Sequence, residues 1–298
     1  MGYANRNLDP TEGRRELRRL MAADEVLAIP GAYDCVTARL MANMGFKALW
    51  GGSIAGSAVN LGVPDLEIMT MTEVLRWNQS LGDASGLPVV ADCDTGYGGP
   101  LNCARLVQAM ERAGIGSVLI EDQASPKHCQ RYTDRPYELV PTEVMAAKIR
   151  AGANARIDEE LVITARCDAL NTADVDEALE RMHAYAEAGA DLILVIGREF
   201  EDMKAVGEAW DRSEPLMIAP VHNPGVTNKE LKKIGYSVRI VPHEPMLAAL
   251  QAIENVLGEY LAQESLAHVT TPMKQFIDLM DLVEYDEAVQ VEATAMLV

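Results

Sequence analysis

Short apolar runs alternate with amphipathic stretches along the whole chain. The runs are VLAIPG (26–31), KALWGG (47–52), PVVADCD (88–94), SVLIED (117–122), LVITARC (161–167), LILVIG (192–197), LMIAPV (216–221) and VRIVPH (238–243), eight in all. Between them CVTARLMANMG, PLNCARLVQAMERAG, VDEALERMHAYAEAGA and TNKELKKIG carry apolar residues at helical spacing and close on or near glycine, as helix C-termini do. Strands that alternate with helices predict parallel βαβ units, and strands without a polar face predict burial on both sides. Eight such units predict an α/β protein of the (β/α)8 TIM-barrel type.

The 298 residues suit one large barrel of about 250 residues or two modest domains. No Pro/Ser-rich linker or shift in composition divides them, so residues 1–298 are read as a single barrel domain. A doubly wound open sheet is the rival, but no G-x-G-x-x-G follows the first run, where PGAYDC has only one glycine. Past the eighth unit, MLAALQAIENVLGEYLAQES and MKQFIDLMDLVEYDEAVQVEATAML predict a helical extension over 247–298. Helix beyond a complete barrel needs an apolar surface to cover, such as a neighbouring subunit.

Composition narrows the partners. Hydrophobic residues make up 49% of the chain, yet no run approaches the roughly 20 residues of a membrane helix, and the N-terminal stretch lacks an apolar signal core. The expectation is a soluble, cytoplasmic protein with no membrane partner. A formal charge of −19 argues against nucleic acid, and any anionic substrate must be held by local positive charge. The five cysteines, Cys35, Cys93, Cys103, Cys129 and Cys167, lack zinc or disulfide spacing and are expected as reduced thiols.

In a barrel the chemistry sits at the C-terminal ends of the strands. Asp92 and Asp94 end the third run, Glu121 and Asp122 the fourth, Arg166 and Asp168 the fifth, Arg198 the sixth and His243 the eighth. Acids from adjacent strands can converge, and such oxygen ligands suit a hard cation, Mg2+ before Zn2+. The alternative is that each acid caps a helix or pairs with an arginine. Arg166 is placed to grip a carboxylate or phosphonate, or to pair with Asp168 or Glu121. The polar stretch 122–138, DQASPKHCQRYTDRPYE, reads as a lid. Within it Cys129 stands beside Lys127, His128 and Arg131, surroundings that lower a thiol pKa. Cys35, Cys93 and Cys103 read as small core residues. His243, between two prolines, is a proton shuttle, a substrate ligand or a structural residue.

Taken in order, PGAYDCVTARLMANMGFKALWGGS, VVADCDTGYGG, IEDQASPK, ITARCDA and EAGAD make the chain resemble the phosphoenolpyruvate mutase/isocitrate lyase superfamily over essentially its full length. The resemblance implies Mg2+, with Mn2+ as the alternative, served largely through water by Asp65, Asp92, Asp94 and Glu121, Asp92 being the direct ligand. It implies a substrate carboxylate pocket lined by Trp50, Gly51, Gly52 and Ser53 with Arg166 as its cationic clamp, and Arg198 and His243 as further substrate contacts. It also implies chemistry through a pyruvate enolate, and dimers or tetramers that exchange the last barrel helix.

The specificity elements are mixed. Lys127-His128-Cys129-Gln130-Arg131 keeps the lysine and cysteine of the lyases' K-[KR]-C-G-H but not its Gly-His. Ile196-Gly197-Arg198 and Ala219-Pro220-Val221 lack the glutamate and asparagine of methylisocitrate lyase-like members. The P-K-x-[NT]-S and His-Ser of the phosphonate enzymes are absent, although YDEAVQVE and Trp50-Gly51 are similar to theirs. LILVIGREF and VPHEP are most similar to the oxaloacetate decarboxylase branch. The expectation is a Mg2+-dependent lyase cleaving a C–C bond of a small 2-oxo or 2-hydroxy dicarboxylate, oxaloacetate first, with Cys129 or His243 as proton donor. The alternatives are C–P chemistry on phosphonopyruvate, a methylisocitrate or dimethylmalate lyase-like activity, and a silent scaffold that kept the fold.

Overall fold

A computed structural model describes residues 9–128, 138–220 and 225–296. The eight apolar runs are the eight strands: β1 (Leu27–Pro30), β2 (Leu49–Gly51), β3 (Val89–Asp92), β4 (Ser117–Glu121), β5 (Val162–Cys167), β6 (Leu192–Val195), β7 (Leu216–Ile218) and β8 (Tyr236–Val241). All pairs are parallel, in the order β1-β8-β7-β6-β5-β4-β3-β2. The ring closes where Gly31 bridges Trp50 and the Ala32 N–H donates to the Trp50 carbonyl at 3.1 Å. The helices are α1 (Pro10–Met21), α2 (Cys35–Asn43), α3 (Ser53–Leu61), α4 (Met71–Ser85), α5 (Pro100–Arg112), α6 (Thr142–Ala155), α7 (Val175–Glu187), α8 (Phe200–Ala209), α9 (Asn228–Lys233), α10 (Glu244–Gln263), α11 (Phe276–Leu282) and α12 (Tyr285–Ala295). None of the helices among the described residues is long and apolar enough to cross a membrane.

Because side chains alternate along a strand, each strand serves two cores. One set, including Ile29, Trp50, Val90, Leu119, Val162, Leu194, Met217 and Ile240, fills the barrel. The other, including Val89, Val118, Ile163, Ile193 and Ile218, packs under the helices. The same alternation carries the inward series Val90 and Leu119 on to Asp92 and Glu121 two residues later. In β5, Thr164 lies within hydrogen-bond distance of Ser117, 2.7 Å between hydroxyls, and Arg166 follows two residues on.

The first helix, which the strand pattern does not announce, closes the opposite end. Asp9 caps it by accepting from the Thr11 N–H, and its Leu17 and Met21 enter the barrel core. Arg14 is 3% exposed and donates to the carbonyls of Ile115 and Glu111 at 2.9 and 2.6 Å while pairing with Asp158 at 2.7 Å.

Three other details refine the sequence reading. Cys93, Cys103 and Cys167 are buried, but Cys35, which opens α2 after its N-cap Asp34, is exposed. The second tail run is not one helix: it breaks at Glu284, whose backbone is left-handed at φ 57°, into α11 and α12. The ends of the 122–138 segment pair with each other, Ala124 N–H to Glu138 O at 2.7 Å and Val140 N–H to Asp122 O at 2.9 Å. Cys129 and Arg131 lie outside the described residues.

Replacing Arg14 with Met leaves Asp158 and two carbonyls without their partner. Arg14→Met is expected to lower the free energy of unfolding by about 3 kcal/mol, read from urea denaturation. Because Arg14 lies at the end of the barrel away from the strand C-termini, the loss should not reach the residues at that rim.

Candidate active site

The C-terminal ends of β3, β4 and β5 form one charged wall. Asp92, the last residue of β3, accepts the Asp94 N–H on Oδ1 at 3.2 Å, so its side chain shapes the turn that follows. Asp94 then takes a left-handed conformation at φ 51°. The two acids stand one residue apart because the first ends the strand and the second turns on it. In β4, Glu121 points inward and its partner residue across the ladder is Arg166.

Loops add the remaining groups. Ser53 opens α3, and its Oγ lies 3.0 Å from both Asp92 Oδ2 and Asp65 Oδ2. Asp65 comes from the segment between α3 and α4, and its Oδ1 is buried without a hydrogen-bond partner. Lys127 reaches in from beyond β4 and is only 3% exposed. Its Nζ lies 2.5 Å from Asp94 Oδ1, 3.0 Å from Asp65 Oδ2 and 3.9 Å from Glu121 Oε1, and donates to Ser53 Oγ at 2.9 Å. On the other side, Arg166 places Nη1 2.9 Å from Glu121 Oε2, Nε 2.9 Å from Asp168 Oδ2 and Nη2 3.0 Å from Asp168 Oδ1. The structure pairs Arg166 with both Glu121 and Asp168, the second of its two readings, and places it at the C-terminal end of β5.

Glycine is required beside this wall. A Cβ at Gly51 would lie 1.8 Å from Asn78 Oδ1, and one at Gly52 would lie 2.2 Å from Trp50 Nε1. Trp50 is 5% exposed and belongs to the barrel core, with its indole against Gly52. Gly52 is also the N-cap of α3 and supplies no capping side chain; the Ser53 N–H of the first turn donates instead to Asp92 Oδ2 at 3.5 Å. The structure therefore joins Ser53, Asp65, Asp92, Asp94, Glu121 and Arg166 in one network, with Trp50, Gly51 and Gly52 adjoining. His243 stands half-buried at the N-cap of α10 after β8, and Arg198 is exposed after β6. They mark other sectors of the same rim.

Charge dominates the wall. Asp65, Asp92, Asp94, Glu121 and Asp168 face two cations, Lys127 and Arg166. Burial pushes Asp94 up to about 6 against the pull of Lys127, with Asp92 and Asp65 adding to the rise. Burial also drives Glu121 well above the usual carboxylate range despite Arg166 and Lys127. Burial alone would depress Lys127, but Glu121, Asp94, Asp92 and Asp65 hold its ammonium well above the ordinary range. Among the described residues no three metal-ligating side chains converge on a common point as they stand. They surround the ammonium of Lys127 instead. The donor set still fits a hard divalent cation: all oxygen, in negative excess, with a buried Asp65 oxygen lacking a hydrogen bond.

Sequence reasoning placed Lys127 in a cationic loop and missed its role as the counter-ion of the acids. It also grouped Glu121 with Asp122, although Asp122 turns away to accept the Tyr185 hydroxyl at 2.7 Å. The period of two along β4 was the available signal, since neighbours on a strand face opposite ways.

A parallel eight-stranded barrel with a carboxylate wall and an arginine at its C-terminal rim is the architecture of an α/β-barrel enzyme. The sequence model described as phosphoenolpyruvate phosphomutase matches residues 17–261. The chain belongs to that family. It is 34% identical over 279 residues to 2,3-dimethylmalate lyase of Eubacterium barkeri, covering 93% of this chain and 96% of that protein. It is 34% identical over 276 residues to an oxaloacetate decarboxylase of Pseudomonas fluorescens, covering 89% and 93%. Among solved structures, phosphoenolpyruvate phosphomutase from Streptomyces platensis subsp. rosaceus superposes with a TM-score of 0.90 at 31% identity, over 95% of this chain and 99% of that one. Phosphonopyruvate hydrolase in complex with oxalate and Mg2+ superposes with a TM-score of 0.87 at 27% identity, over 94% and 98%.

The metal-free protein offers a test of Lys127 as counter-ion. In Lys127→Met the folded pKa values of Asp94 and Glu121, already raised by burial, rise further above their unfolded values near 4. Such groups favour the fold below the unfolded pKa, and that contribution is lost as pH rises through the folded one. In EDTA, the variant is therefore expected to fall behind wild type increasingly from about pH 4 to pH 8, reaching about 3 kcal/mol. A gap that does not vary with pH would contradict this.

Proposed function

We propose that the chain is a divalent-cation-dependent lyase that cleaves a C–C bond of a small 2-oxo or 2-hydroxy dicarboxylate, with oxaloacetate decarboxylation as the first choice. One observation carries the reading: acids that seek a cation and an arginine that binds an anion share a single rim wall, 2.9 Å apart at Glu121 and Arg166. The relatives named 2,3-dimethylmalate lyase and oxaloacetate decarboxylase support it, as does a solved neighbour that holds oxalate and Mg2+.

Asp65, Asp92, Asp94 and Glu121 would hold the cation, Mg2+ or Mn2+. When bound, it would polarise the substrate's 2-oxo group and offset charge that develops on that oxygen. The chain's own residues do the rest. Arg166, oriented by Asp168, holds the C1 carboxylate through charge-assisted hydrogen bonds. The backbone at residues 51 to 53 would help polarise the 2-oxo group, with the Ser53 N–H directed at Asp92 Oδ2, 3.5 Å away, until a ligand takes that place. With oxaloacetate, the C3–C4 bonding pair stays on the three-carbon fragment as pyruvate enolate while CO2 departs. Protonation of C3 by Cys129 or His243 then gives pyruvate, and Arg198 after β6 and His243 after β8 would contact the substrate from their own sectors of the rim.

A second reading, C–P chemistry on phosphonopyruvate, is favoured by the TM-score of 0.90 to phosphoenolpyruvate phosphomutase. Proton and phosphorus NMR of the protein with Mg2+ and oxaloacetate, dimethylmalate, methylisocitrate or phosphonopyruvate separates the two. Pyruvate formed from a carbon acid is expected; a change confined to phosphonopyruvate would make the second reading the right one. Asp92→Ala should abolish turnover and metal binding and leave circular dichroism native. Cys129→Ser with unchanged turnover would leave His243 as the donor. Failure of wild type to bind Mg2+ by calorimetry would return the silent-scaffold reading.

We also propose that the tail packs on a second copy of the chain, exchanging a helix within a dimer or tetramer. α10 buries none of its 20 residues, and Leu247, Leu250, Ile253, Leu257 and Leu261 are exposed along it. Light scattering should show a dimer or tetramer, whereas a monomer at micromolar concentration would overturn this.

A further inference from the structure

The fully buried carboxylate of Asp122 takes no part in the chemistry above. It follows Glu121, which faces the mouth, and it faces the helical layer. There its Oδ2 accepts the Tyr185 hydroxyl at 2.7 Å and lies 3.7 Å from Arg181 Nη1, both on α7. Arg181 is fixed in turn, donating to the Val140 carbonyl at 3.0 Å and pairing with Glu177 at 3.1 Å.

Towards β5, Asp122 makes two bonds that bracket a three-residue segment. Its backbone N–H donates to the Arg166 carbonyl at 3.2 Å, and its Oδ1 accepts the Asp168 N–H at 2.9 Å. Just past β6, the Ile196 N–H donates to the Cys167 carbonyl between them at 3.0 Å. The segment held this way carries both Arg166 and the Asp168 carboxylate, which accepts from Nη2 at 3.0 Å and lies 2.9 Å from Nε in an ion pair with its guanidinium. An arginine side chain has rotamer freedom to lose, and a fixed fork binds a carboxylate at lower entropic cost than a mobile one.

We propose that Asp122 is a positioning residue for the anion clamp: braced by Tyr185 and Arg181 of α7, it fixes the backbone of 166–168 so that Asp168 holds the Arg166 guanidinium in one orientation towards a bound carboxylate. The substrate-directed part rests on the reading of Arg166 given above.

The test compares wild type with Asp122→Ala, Asp122→Asn and Tyr185→Phe in the full-length protein. Calorimetry gives the affinity for oxalate in the presence of Mg2+, and for Mn2+ alone; nitrogen-15 NMR gives hydrogen exchange at Arg166 Nε–H. Asp122→Ala should weaken oxalate binding by about tenfold or more and speed Nε–H exchange, with Mn2+ affinity unchanged. Asp122→Asn keeps an oxygen for the Asp168 N–H and should recover most of the loss. Tyr185→Phe preserves the packing and should fall between, which keeps the test alive if the alanine variant does not fold. Folded variants with oxalate affinity and Nε–H exchange both unchanged would overturn the proposal, as would equal loss of oxalate and Mn2+ binding. A wild type that binds no oxalate, together with faster Nε–H exchange in the variants, would leave the positioning role standing and remove the reading of Arg166 as a substrate clamp.

Discussion

Confined negative charge is the constraint on which the rim depends. Strand alternation brings Asp92 and Glu121 inward, the turn after β3 adds Asp94, and the segment before α4 adds Asp65. Like charges at such separations are tolerated only where cations or shared protons offset them. Lys127 and Arg166 flank Glu121 and divide the task, the ammonium among the aspartates and the guanidinium between Glu121 and Asp168. The wall is thus a structural charge balance, and under the reading proposed above a cation that offsets the same carboxylates more strongly would compete with Lys127.

The architecture was legible because its signals are local and repeated. Each apolar run became a strand, and helices ended where glycine follows, as at Gly114 after α5 and Gly189 after α7. Strand-end position also identified Asp92, Asp94, Glu121 and Arg166 as neighbours. Asp65 and Ser53 carry no such periodic mark and entered through family resemblance alone. The partner of the acids was beyond reach for a different reason: Lys127 follows Glu121 by six residues in an irregular segment, where no period dictates which way a side chain turns. Cys35 shows the same limit, since a helix's first residue is exposed or buried according to how the helix sits on the barrel.

Glu121 and Asp122 show how much a strand terminus can hold. Two chemically similar residues occupy consecutive positions, and the pleat sends one to the mouth and the other to α7. One peptide therefore bears on both the charge of the wall and the rigidity of the segment that carries its arginine. Sequence proximity alone merges these tasks; only the direction of each side chain separates them.

The packed interior and the α1 helix at its other end impose an order of traffic. With Leu17 and Met21 of α1 in the barrel core and Arg14 tied to the carbonyls of Glu111 and Ile115, the barrel is sealed at that end. For the decarboxylation proposed above, substrate, pyruvate and CO2 would share one opening, so departure of one would become a condition for admitting the next.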